Sequence, residues 1–196
     1  DMVEVQPGHT QAHSTRLIIG PGTGLGVAGV FPGQHAWIPL PTEGGHVTFA
    51  PTDSTERALL DVFLQRHKRV SVERILCGQG LLELYQAYCT IEGVEPKLTS
   101  PAEVTTAAKE GDSLATAALL RFLKILGDVC GDATLTMGAR GGVYLCGGIL
   151  PRLLDWLPKS ELRSAFVNKG RMGAYNADIP VWVVTAPWTG LLGATE

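Results

Sequence analysis

The chain has 196 residues, a net charge of −3 and only 18% charged residues against 45% hydrophobic ones. That composition excludes a disordered chain and offers no basic stripe for a nucleic-acid backbone. No stretch approaches the roughly 18 uninterrupted apolar residues of a membrane span. Residues 1–15 are polar, with little pattern. Arg16 to Gly20 reads as a buried strand, Gly20-Pro21-Gly22-Thr23-Gly24 as a turn, and Leu25 to Phe31 as the returning strand of a hairpin. His35 to Leu40 follows as a strand that Pro39 and Pro41 place at an edge. Thr42 to His46 is loop, and Val47-Thr48-Phe49 is strand-like.

Residues 53–67 carry Ala58, Leu59, Val62 and Phe63 at helical spacing. Ser71 caps a short helix holding Glu73, and Cys77-Gly78-Gln79-Gly80 breaks it before a helix from Leu81 to Tyr88. Ser100-Pro101-Ala102-Glu103 is a capping-box start. A long buried helix begins near Ser113. Gly142 to Cys146 is a short strand ending in Gly147-Gly148, with a helix from about Pro151. Ile179 to Thr185 is the last strand, before a proline turn and a helix start at Gly190. The order implies an α/β domain with a mixed five-stranded sheet flanked by helices.

Glycine is the outlier, at 24 residues, and it clusters between the strand-like runs. Gly20 to Gly26 suits a phosphate cradle made of backbone N–H groups, with Thr23 adding a hydroxyl. A tight hairpin tip would want the same glycines. It is not a Walker loop, since no Gly-Lys-Ser/Thr follows, and a strand rather than a helix comes next. Gly147-Gly148, closing a strand, would let a flat ligand approach bare backbone, or would serve helix–strand packing. Glu43 and His46 flank Gly44-Gly45, a pair suited to sugar hydroxyls or to a polar turn. Glu73 alone reads as a surface ion pair, favoured by the helix dipole. His9, His13, His35 and His67 read as surface residues. Cys77, Cys89, Cys130 and Cys146 fit no Cys-x-x-Cys spacing and read as reduced thiols, mostly in the core. No metal site is expected, and the expected location is cytoplasmic.

Taken in order, these segments resemble one family. Gly-x-Gly-Thr-Gly-Leu-Gly (20–26), Glu-Gly-Gly-His-Val (43–47), Val-Glu-Arg-Ile-Leu (72–76) and Gly-Gly-Val-x-Leu-x-Gly-Gly-Ile-x-Pro-Arg (141–152) are similar to bacterial-type glucokinases. That family belongs to the actin/hexokinase/Hsp70 superfamily. The resemblance runs from about Arg16 to Gly193. It implies an actin-like ATPase (ribonuclease H-like) C-terminal domain over 16–196, with 1–15 near an interdomain hinge. It implies that Gly22, Thr23 and Gly24 contact ATP phosphates, that Gly147 and Gly148 flank adenosine, and that Glu43, His46 and Glu73 hydrogen-bond glucose. Mg²⁺ would be held through the phosphates, and a homodimer is implied as well.

Two departures from related sugar kinases carry information. The repressor/kinase (ROK) branch has a cysteine run after its Gly-His. Here Val47-Thr48-Phe49-Ala50-Pro51 follows, so no zinc is expected and the non-ROK branch is favoured. The family's first phosphate loop, Asp-x-Gly-Gly-Thr-Asn, and its Asn-Asp-Phe segment are not in these 196 residues. The chain opens Asp1-Met2 and stops soon after Leu191-Leu192, so the expectation is a large domain without its small N-terminal lobe. No catalytic residue is then assigned in this chain: the general base is expected upstream, and the isolated chain is expected to be inactive or nearly so. The implied activity of the whole protein is transfer of the ATP γ-phosphoryl group to the glucose 6-hydroxyl. The competing readings are a sugar-sensing regulator of related fold and a kinase for another hexose.

Overall fold

A strand whose alternate residues are apolar buries one face, and β2 (Arg16–Pro21) does so with Leu17 and Ile19 wholly buried. Its hairpin partner β3 (Leu25–Pro32) runs antiparallel, with Pro21 opposite Leu25. The computed structural model describes residues 1–186, so the proline turn and helix start expected at Gly190 lie outside the described residues. Among them the sheet has six strands in the order β1-β6-β5-β2-β3-β4. β5 (Val143–Leu145) lies parallel to β2, and β6 (Val181–Val184) parallel to β5. β4 (Trp37–Thr42) closes one edge, where the prolines placed it.

The sixth strand corrects the expected five. β1 (Met2–Gln6) pairs antiparallel with β6, Met2 opposite Val184. Its partner is far away in the chain, so nothing local announces it. Gln6 is buried and donates from Nε2 to the carbonyls of Asn176 and Ile179. Val47-Thr48-Phe49 is not a strand. Only Thr48 bridges, to Ser71, and Phe49 turns into the core.

The helices are α1 (Ser54–Leu64), α2 (Val72–Ile75), α3 (Gly78–Glu92), α4 (Pro101–Lys109), α5 (Ser113–Met137), α6 (Leu162–Val167) and α7 (Gly173–Ala177) among the described residues. Each of the first five starts at a capping side chain: Asp53, Ser71, Cys77, Ser100 and Asp112 accept a first-turn N–H. Gly78-Gln79-Gly80 is therefore the first turn of α3 and not a break. The helix expected from Pro151 is instead two 3₁₀ turns, Leu150–Arg152 and Leu154–Lys159. α5 packs against α3, α4 and α6 and carries Phe122, Leu123, Ile125 and Leu126 into the core. All four cysteines are free thiols, three of them buried.

One polar knot joins α1 to α5. The Glu56 carboxylate, almost fully buried, accepts from Lys124 Nζ at 2.6 Å, Arg121 Nη1 at 3.1 Å and the Thr52 N–H at 2.7 Å. Burial alone would raise the Asp53 and Glu56 pKa values. The bonds from the Glu56 N–H and Arg121 to Asp53, and from Lys124 and the Thr52 N–H to Glu56, outweigh it and hold both below their ordinary 3.8 and 4.5. Folded values below unfolded ones stabilise the fold above about pH 4.5, and that contribution is lost as pH falls through the folded values. The urea midpoint is expected to be flat from neutral pH to about 5 and to fall below it. Glu56→Gln should cost about 1–3 kcal/mol at pH 7 and flatten the acid limb. An unchanged limb in that variant would contradict this account.

Candidate functional site

The parallel strands β2 and β5 end side by side, and each runs into glycines. In an open α/β sheet this is where ligands bind. Gly147 has φ +90°, and a Cβ there would lie 2.4 Å from the Pro21 carbonyl oxygen. Only glycine permits so close an approach. Gly148 beside it has open space on its Cβ side and lines a cleft of about 510 Å³ together with Gly22, Thr23, Gly78 and Gln79. Pro101, Ala102, Ile149 and Leu153 give that cleft an apolar wall, and Arg152 adds a cation.

A second, more polar cleft of about 360 Å³ is lined by His46, Arg69, Glu73, Arg74 and Glu83 among others. Thr23 and Gln79 line both clefts. The two spaces therefore meet at the glycine turn and the first turn of α3. The turn is tied to that helix by the Gly78 N–H, which donates to the Gly22 carbonyl at 2.9 Å. Gly22 N–H donates to the Gly24 carbonyl at 2.8 Å, and neither Thr23 N–H nor Gly24 N–H has a hydrogen-bond partner among the described residues. Free turn donors of this kind, beside the N-terminus of α3, favour an anion.

The residues expected to face a sugar do converge. His46 Nε2 lies 3.8 Å from Glu43 Oε2 and 3.7 Å from Glu73 Oε1. Glu43 is 91% exposed, His46 57% and Glu73 30%, so the three grade from rim to wall. Glu43 and His46 bound a 3₁₀ turn, Gly44–His46, whose last carbonyl accepts from Arg69 Nη2 at 2.7 Å. Arg69 also donates to Thr48 Oγ1 at 3.0 Å, pinning the segment. Glu73 is held in the first turn of α2, and its Oε2 accepts the Leu25 N–H at 2.8 Å. Gly24 faces this carboxylate, whereas Gly22 faces the larger cleft and Thr23 lines both.

Some functional neighbours were not legible. His67, expected on the surface, is only 17% exposed and bonds Glu83 at 2.7 Å, beside the polar cleft. Gln79 looked like part of a helix break. Arg69 lies in no motif, and only the fold brings it to His46. Cys77 caps α3 through its sulfur, and burial pushes its thiol pKa up, with the Glu73 charge adding to the shift.

A sequence model of the glucokinase family matches residues 1–196. The chain belongs to the glucokinase family. It is 67% identical over its full length to a glucokinase of Chromohalobacter salexigens, of which it covers 61%. Among solved structures, the glucokinase from an Antarctic psychrotroph superposes with a TM-score of 0.94 at 33% identity, over 99% of this chain and 61% of that one. A Balamuthia mandrillaris glucokinase, solved in complex with glucose, shares the fold at TM-score 0.78 and 22% identity, over 91% of this chain and 52% of that one. The chain thus spans about three fifths of the length of the glucokinase relative from Chromohalobacter. Its architecture is the actin-like α/β fold of glucokinases and ROK sugar kinases. No helix among the described residues is long and apolar enough to cross a membrane.

The two adjacent glycines separate backbone from ligand roles. Gly147→Ala should cost at least about 1–3 kcal/mol in urea unfolding, because φ +90° is strained for alanine. Gly148→Ala should cost less than about 0.5 kcal/mol while narrowing the larger cleft. Equal costs for the two would contradict the geometry.

Proposed function

We propose that the protein to which these residues belong transfers the γ-phosphoryl group of ATP to the 6-hydroxyl of glucose or a closely similar hexose, in the cytoplasm. The observation that carries this reading is the meeting of a carboxylate-and-imidazole cleft with a glycine-walled cleft at Thr23 and Gln79. A phosphoryl acceptor and a donor must come together at such a junction.

The chain's own groups divide the work. Glu43 and Glu73 accept hydrogen bonds from sugar hydroxyls, and His46 orients a third from between them. Gly22 and Gly148 offer bare backbone, and the Thr23 hydroxyl and the N–H groups of Thr23 and Gly24 suit phosphate oxygens. The apolar wall of Pro101, Ala102, Ile149 and Leu153 suits a purine base, with Gly148 beside it. The donor set therefore fits a nucleotide. When bound, MgATP supplies the transferable group, with Mg²⁺ held through the phosphates. The α3 N-terminus adds a positive dipole end where negative charge gathers.

In this reading residues 16–196 are the large domain, with β1 (Met2–Gln6) joined to its sheet, and 1–15 lie near the hinge to a small N-terminal lobe. The general base that takes the hydroxyl proton comes from that lobe, so the 196 residues alone hold ligands without turning them over. Loss of a general base costs a factor of about 10²–10⁴, and loss of lobe closure adds to it. The same reading brings a homodimer, which sedimentation of the full-length protein tests.

A coupled assay of the full-length protein with glucose and ATP tests the activity. Glu43→Ala and Glu73→Ala should each raise the glucose KM by about tenfold or more, the effect of about 1.4 kcal/mol or more of lost binding. Thr23→Ala should act chiefly on ATP. Wild-type protein that phosphorylates no hexose, or variants that leave the glucose KM unchanged, would overturn the reading.

A further inference from the structure

The two oxygens of Glu73 have different neighbours. Oε1 faces the polar cleft, 3.7 Å from His46 Nε2. Oε2 accepts the Leu25 N–H at 2.8 Å. Leu25 is the first residue of β3, the exit of the glycine turn, and is itself buried. Gly24 completes the fit. A Cβ at Gly24 would lie 2.6 Å from Glu73 Oε2 and 3.3 Å from its Cδ. The carboxylate is therefore wedged against the turn. It cannot swing further into the polar cleft without releasing Leu25 N–H, and the turn cannot shift without moving the carboxylate.

We infer that Glu73 is a positioning residue for the glycine turn as well as a sugar contact, so that hexose and nucleotide bind with positive linkage through this one carboxylate. The inference rests on the kinase reading above. A hydroxyl donating to Oε1 fixes the carboxylate plane. The fixed plane holds Oε2 on Leu25 N–H, and with it the turn that presents Thr23 to the next cleft. The first ligand fixes what the second needs fixed, and the linkage is reciprocal by thermodynamic necessity.

The hydrogen-bond chemistry of the side chain separates positioning from sugar contact. A glutamine at 73 keeps an amide oxygen for Leu25 N–H, whereas alanine leaves that buried N–H without an acceptor. The measurement is calorimetric titration of the full-length protein with Mg-ADP in the absence of sugar. Glu73→Ala should weaken Mg-ADP by about fivefold or more, the low end of ordinary coupling energies, and Glu73→Gln by less than about twofold. A second arm enters from the turn. Gly24→Ala should weaken glucose by about fivefold or more, yet by less than about twofold when made on top of Glu73→Ala, since the clash partner is then gone.

A merely structural loss at either position would not reproduce the rescue by glutamine or the disappearance of the Gly24 effect. Should Gly24→Ala fail to fold, the comparison of alanine with glutamine at 73 decides alone. Mg-ADP affinity equal in wild type and Glu73→Ala, in a protein that phosphorylates glucose, overturns the linkage and leaves the kinase reading standing. A wild type that phosphorylates no hexose overturns the kinase reading, and this inference with it.

Discussion

The hydrogen bond from Gly78 N–H to the Gly22 carbonyl, 2.9 Å long, is the joint on which the site depends. It ties the tip of the β2–β3 hairpin to the first turn of α3. On one side of that joint lies the polar cleft with Glu73 and His46, and on the other the glycine-walled cleft with Gly148. Thr23 and Gln79 belong to both because they sit at the joint itself. Cys77 holds the other half in place: its sulfur caps α3 through the Gly80 N–H at 3.3 Å. In the proposed reading acceptor and donor need adjoining spaces with a shared wall, and this one backbone bond supplies the wall.

The rest of the domain keeps the joint still. β2 and β5 lie parallel with Leu17, Ile19, Val143 and Leu145 wholly buried, so the two glycine turns issue from an immobile floor. α5 supports that floor from below and is itself fixed to α1 by the Glu56, Arg121 and Lys124 cluster. Such a cluster adds little when intact compared with apolar packing, but leaves an unpaired buried charge when broken. The buried scaffold and the residues that line the two clefts thus occupy different parts of the molecule.

Much of this was legible because the chemistry is local. The Gly20–Gly24 turn between two apolar runs announces the hairpin, and Ser71 and Ser100 announce their helices through a single side-chain bond each. The convergence of Glu43, His46 and Glu73 came through the family resemblance, since spacing alone left Glu73 a surface ion pair. What was hidden depends on partners distant in the chain. β1 has no strong pattern of its own because only β6, at the far end of the described chain, makes it a strand. Gly78 and Gly80 looked like breakers by propensity. Gly80 is required because a Cβ there would sit 2.2 Å from the Ile75 carbonyl oxygen at the α2–α3 corner. The burial of His67, in the loop after α1, is hidden because its partner Glu83 arrives from α3.

The central claim is that sugar and nucleotide occupy the two clefts that meet at Thr23 and Gln79. A crystal structure of the full-length protein with glucose and a non-hydrolysable ATP analogue tests it most directly. The hexose hydroxyls are expected on Glu43, His46 and Glu73, the adenosine between Gly148 and Pro101, and the terminal phosphate at Thr23. Glucose or nucleotide bound elsewhere, or a terminal phosphate away from Thr23, would contradict it.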